Sequence, residues 1–103
     1  MTTFYLLGAD GEPLPADDLN VWGEWFQSTD PSIARDTIGD VEISTVFLGI
    51  DHQFGIGPPV LWETMIFGGI QDQYQYRYTS RAAALAGHAA AVARVRGAPP
   101  PKA

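Results

Sequence analysis

Val41 to Gly69 reads VEISTVFLGIDHQFGIGPPVLWETMIFGG, and the spacing of its apolar residues decides the fold. Val41, Ile43 and Thr45 alternate with Glu42, Ser44 and Val46. That period of two marks a strand with one wet face. From Thr45 both faces turn apolar, through Val46, Phe47, Leu48 and Ile50. A strand covered on both sides has this pattern, which puts its second half inside a sheet. Val60 to Phe67 is a second such run, dense in β-branched and aromatic residues. Between them, Asp51 to Pro59 holds two glycines and a Pro-Pro pair, which end strand pairing and specify a loop. The stretch predicts an antiparallel hairpin of Val41–Ile50 with Val60–Phe67, joined by a connection long enough to carry function.

Outward from this hairpin the chain alternates between strand and helix signals. Thr3 to Leu7 predicts a short strand, and Asp10-Gly11 with Pro13 and Pro15 a turn. Asp17 or Asp18 caps a helix bearing Leu19, Trp22 and Phe26 at helical spacing, with Trp25 beside them; Ser28-Thr29-Asp30-Pro31 stops it. Ile33 to Ile38 predicts a strand, and Gly39-Asp40 suits a two-residue type II′ turn. That turn sets Ile38 opposite Val41 and makes Arg35 and Glu42 diagonal neighbours. It also places Asp36 on the face of Ile38, Val41 and Ile43, a conflict that predicts pairing only from about Thr37.

Gln73 to Tyr78 alternates, with Tyr74, Tyr76 and Tyr78 on one side. Burial against a helix is expected for them, an exposed binding ladder being the other reading. Thr79 or Ser80 caps a last helix, Arg81 to Arg96, whose stripe is Leu85, His88, Val92 and Val95. Gly97 and Pro99 to Pro101 end it. The expected order is β-α-β-β-β-β-α, an α+β domain over residues 1–97. About five strands make a mostly antiparallel sheet with two helices packed on one face. Residues 98–103 are expected to be a disordered Pro-rich tail. The uncovered sheet face is expected to carry Glu42, Ser44, Gln73, Gln75 and Arg77.

The 103 residues are 46% hydrophobic with 12% aromatics, which argues for a packed domain rather than disorder. Without cysteine there is no disulfide framework, thiolate nucleophile or cysteine zinc site. No run reaches the roughly 18 apolar residues of a membrane span, and the first residues lack a basic region preceding a long apolar run. A cytoplasmic protein is expected. Net charge is −6 with six Lys and Arg, so direct nucleic-acid binding is not expected; the charge reads first as what keeps the chain in solution, steering toward a basic partner surface being the other reading.

Few residues suggest chemistry. Asp51-His52 at a strand end permits a general base or a metal ligand. Neighbours on an extended chain point apart, however, so Asp51 capping the loop backbone beside an exposed histidine is the other reading. Glu63 shares a strand face with Leu61, Met65 and Phe67 and calls for an edge position, an arginine partner or a raised pKa. His88 reads as a partly buried structural histidine. Asp51, His52 and Phe54 of the loop, with Glu63 and Arg77, form the candidate binding set. No catalytic residue is assigned. No metal-ligand spacing, phosphate loop or dinucleotide signature is present, and Gly55-Ile56-Gly57 is followed by prolines where a helix should begin; no metal or cofactor is expected.

Ser44 to Gly69, STVFLGIDHQFGIGPPVLWETMIFGG, followed by QYRYTSRAAALAGH from Gln75 to His88, resembles small uncharacterised proteins of phage, prophage and bacterial genomes. The resemblance covers about half the chain and assigns no functional residue. It implies an accessory protein of a mobile element that acts by binding a host or phage protein. Inhibition of host defence, in the manner of anti-CRISPR proteins, is one such role, and a homodimer is left open. The alternative is a small-molecule-binding or hydrolytic domain with its site at Asp51, His52 and Glu63.

Overall fold

The computed structural model describes residues 3–53 and 55–97; Phe54 and the expected tail at 98–103 lie outside them. The order of elements is β1 (Tyr5–Leu7), β2 (Pro13–Pro15), α1 (Leu19–Ser28), β3 (Ser32–Ile38), β4 (Val41–Phe47), β5 (Trp62–Phe67), β6 (Gln75–Tyr78) and α2 (Arg81–Val95). The fold is α+β. Strands β3-β4-β5-β6 form an antiparallel meander, and β1-β2 a separate hairpin. The central hairpin predicted from Val41–Gly69 pairs as expected, with Val46 opposite Glu63 and Phe47 opposite Trp62.

Four local readings are corrected by the structure. Pro13–Pro15 is a strand, not a turn; it pairs Leu6 with Leu14 and Leu7 with Pro13. A proline is tolerated because a two-stranded hairpin consists of edges, where a missing N–H costs no ladder bond. Second, β3 pairs with β4 from Ile38–Val41 through to Ser32–Val46, with a register shift between Ser32 and Ala34. Asp36 therefore does lie on the core face, opposite Ile43. The turn between these strands is as expected: Gly39 has φ +58°, as a type II′ turn requires at its first central residue. Third, β6 begins at Gln75 because Gln73 takes φ +72° in the preceding turn. Gln73 therefore does not stand on the open sheet face. Of the tyrosines, Tyr78 is buried while Tyr76 is 57% exposed. Fourth, the buried residues of α2 are Ala84, His88 and Ala91, and Leu85 is exposed.

The caps explain where the helices begin. Asp18 accepts from the backbone N–H of Asn20 and Val21, and Ser80 from that of Ala83. Helix α2 packs on the meander, and α1 sends Trp25 edge-on to Phe47 on that same face. The β1-β2 hairpin is tied to the end of β4. Tyr5 N–H donates to the Gly49 carbonyl at 2.8 Å, and Trp22 Nε1 donates to the carbonyls of Tyr5 and Gly49. Gly49 has φ +75°, and a side chain there would run into the Phe26 ring.

The core has two apolar halves. One holds Phe47, Leu61, Trp62, Tyr78 and Ala84 with the aromatic face of α1; the other holds Ile43, Ile66 and Ala91. Full burial of residues such as Phe47 and Ile66 contributes about 1.5–3 kcal/mol each. Among the described residues, no helix is long and apolar enough to cross a membrane.

Candidate functional site

Between the two apolar halves lies a polar layer. Strands β4 and β5 face the core with successive rungs Ile43–Ile66, Thr45–Thr64 and Phe47–Trp62. The middle rung carries hydroxyls, and both threonines are 0% exposed. A buried hydroxyl without a partner costs on the order of 1–3 kcal/mol, so this rung needs hydrogen bonds from within the chain. The two Oγ1 atoms bond to each other, and Thr45 Oγ1 lies 2.7 Å from His88 Nδ1 on α2. His88 Nε2 lies 2.7 Å from Asp36 Oδ2 on β3. A carboxylate only accepts, so Nε2 carries the hydrogen and donates it to Asp36. The chain Asp36–His88–Thr45–Thr64 thus links β3, α2, β4 and β5.

Asp, His and a hydroxyl in this order have the connectivity of a nucleophile, a base and its orienting acid. The environment removes that chemistry. Thr45 is fully buried, His88 is 6% exposed, and both ring nitrogens are engaged inside the protein. The hydroxyl in the nucleophile position is sealed from solvent. What the layer does is satisfy polar groups and fix α2 over the sheet. A fully bonded network in a low-dielectric interior does this well, at about 1 kcal/mol per bond.

Outside the layer, one flank of α2 faces the β3 edge. Leu85, Ala89, Val92 and Ala93 stand at i, i+4, i+7 and i+8 and, with Ala34, wall a groove of about 500 Å³. Asp36 and His88 lie at its floor and Arg96 at one end. The Asp36 side chain is 51% exposed although one oxygen is held by His88.

The residues singled out from the sequence are distributed elsewhere. Asp51 Oδ1 accepts from the backbone N–H of Gln53 at 2.8 Å and of Val60 at 2.9 Å, closing the base of the loop. The partly buried His52 contributes its backbone N–H to the Val60 carbonyl. Glu63 is opposite Arg77 on the open sheet face, and its Oε2 accepts from Arg77 Nε at 2.9 Å and from Gln75 Nε2. The arginine partner expected for this carboxylate is thus present. Arg35 and Glu42 form an ion pair at 3.1 Å on that face. The structure brings Glu63 and Arg77 together and gives Asp51 a separate set of backbone partners; Phe54 lies outside the described residues. No three His, Asp or Glu side chains among the described residues gather as a metal-ligand set.

Sequence reasoning placed His88 on the buried side of the last helix, as the structure has it, but missed its partners. The signal was available in Asp36, whose inward position looked like an error of pairing. Comparison of the chain with family models, curated proteins and solved structures finds no match.

Proposed function

We propose that this chain acts by binding a partner protein and performs no catalysis. The observation that carries this reading is the apolar stripe Leu85–Ala89–Val92–Ala93, which α2 presents along the β3 edge of the sheet with no covering element among the described residues. Contiguous exposed apolar surface of this kind marks interaction sites. The acid–base pair Asp36–His88 lies at the floor of this groove, but the hydroxyl beside it, Thr45, is fully buried, and the constellation serves the scaffold. A net charge of −6 favours a basic partner through steering. The resemblance of Ser44–Gly69 to proteins of mobile elements makes a component of host defence the first partner class to try, with inhibition by occlusion as the role.

The test is affinity capture from a bacterial lysate with two folded baits, the wild-type chain and Leu85→Glu. A protein held in stoichiometric amount by the first and lost from the second supports the reading. No protein held above background by either bait argues against it.

A further inference from the structure

We propose that the groove between α2 and β3 binds a small zwitterion, an organic ammonium and a carboxylate joined by an apolar stem. The inference rests on the groove of the binding reading above and adds a ligand that would contend with the partner for it.

The groove holds one fixed anion. Asp36 stands on the inward face of β3, opposite Ile43, and among the described residues it is the one acid in the lining. Its Oδ2 accepts from His88 Nε2 at 2.7 Å, and the buried His88 is held in turn by Thr45. That bond sets the orientation of the carboxylate. Oδ1 has no hydrogen-bond partner among the described residues, and the side chain is 51% exposed. A carboxylate oriented by a buried donor and open on its other side is prepared for a cationic donor at little ordering cost.

The groove also holds one arginine, set apart from the anion. Arg96 follows His88 by eight positions, about 12 Å along the helix axis. It pairs with no carboxylate among the described residues, Asp36 included. Between the two charges the helix presents Ala89, Val92 and Ala93. Acceptor, apolar track and donor thus follow one another along the groove.

This order selects the ligand. The volume of about 500 Å³ falls within the roughly 300–1,000 Å³ typical of small-molecule sites. An alkylamine leaves Arg96 unmatched, and a fatty acid brings its carboxylate into a groove floored by Asp36, a like-charge approach that costs affinity. A zwitterion with charges about 10 Å apart meets both ends and lays its stem over the small side chains.

The experiment is amide NMR of the full-length protein titrated with ω-amino acids of increasing chain length, with octylamine and octanoate as single-charge controls. Saturable shifts should appear at Ala34, Asp36, Ala89 and Val92, while Gln75 and Arg77 on the open sheet face stay unmoved. Affinity should pass through a maximum where the charges are about 10 Å apart and then fall. ω-Aminooctanoate should bind about tenfold more tightly than either control, and lose about tenfold in Asp36→Asn and in Arg96→Gln. Asp36→Asn keeps an oxygen acceptor for His88, and Arg96 is exposed at the helix end. The chain-length profile on the unaltered protein carries the test should either variant fail to fold. Affinity that climbs without a maximum, equal binding of octylamine, unchanged affinity in Arg96→Gln, or no saturable shift at any chain length overturns the proposal. Self-association that Arg96→Gln abolishes also overturns it, since a second copy would then fill the groove. A lysate partner captured while no ω-amino acid binds sinks this inference and leaves the partner reading standing. An ω-amino acid bound while no partner is captured does the reverse.

Discussion

His88 Nε2 donates to Asp36 Oδ2 at 2.7 Å across a sequence separation of 52 residues, and this bond ties the last helix to the edge strand of the sheet. Its other ring nitrogen, 2.7 Å from Thr45, joins the helix to the central strand. One imidazole therefore sets where α2 lies, and through α2 the width of the groove beside β3.

Tyr78, buried on β6, gives a pH signature. Burial raises its pKa above the ordinary 10.0; the nearby Thr64 hydroxyl opposes this, and the charges of Tyr74 and Tyr76 add to the rise. The unfolded chain releases this proton near pH 10, and the folded chain holds it to higher pH. The stabilising contribution is thus whole below pH 10 and declines as pH climbs through the folded value. Alkaline titration of phenolate absorbance should show a late step that disappears in Tyr78→Phe. The fall in urea midpoint above pH 10 should also be shallower in that variant. A titration curve unchanged by Tyr78→Phe would contradict the assignment.

Two glycines in helices should respond in opposite directions to alanine. At Gly23 of α1 nothing lies within 4 Å of an added Cβ, so Gly23→Ala should stabilise by about 1 kcal/mol from helix propensity. At Gly87 of α2 an added Cβ would overlap the Tyr78 ring edge and hydroxyl. Gly87→Ala should therefore lose about 1–3 kcal/mol despite its better propensity. Chemical denaturation of the pair checks both signs, and a stabilising Gly87→Ala would show that α2 does not approach β6 this closely.

Asp51 and His52, neighbours in sequence, should separate in mutagenesis. Asp51→Ala leaves the Gln53 and Val60 N–H groups without their acceptor and should cost about 1–2 kcal/mol. His52→Ala removes a side chain whose backbone makes the bond to Val60, and should change the midpoint by less than about 0.5 kcal/mol. Equal losses would assign the His52 ring a structural contact.

Much of the architecture was legible because the signals are local. The alternation of Val41 to Thr45, the dense run Val60–Phe67, the Gly39-Asp40 turn and the Asp18 and Ser80 caps each determine structure within a few residues. Pro13–Pro15 was illegible as a strand because two prolines read as a turn, and only pairing with Tyr5–Leu7 makes it extended. The polar layer was harder still. It joins β3, β4, β5 and α2, and no spacing rule links Asp36 to His88 before α2 is laid along the sheet. Asp36 did stand out as a charge on an apolar face. That local anomaly marked the one place on β3 where tertiary structure supplies a partner. The groove was hidden for a related reason: the sequence stripe of α2 included Leu85 as core, whereas the smaller Ala84 and Ala91 meet the sheet and leave Leu85 outside.

The claim on which the account depends is that His88 serves the scaffold. His88→Ala deletes the partner of two groups at once, Thr45 and Asp36, and opens a cavity between the two halves of the core. Urea unfolding of His88→Ala at pH 7 should show a loss of about 2–4 kcal/mol relative to wild type. A variant that keeps wild-type stability within about 0.5 kcal/mol would contradict the account, because His88 would then be dispensable to the fold and free for chemistry.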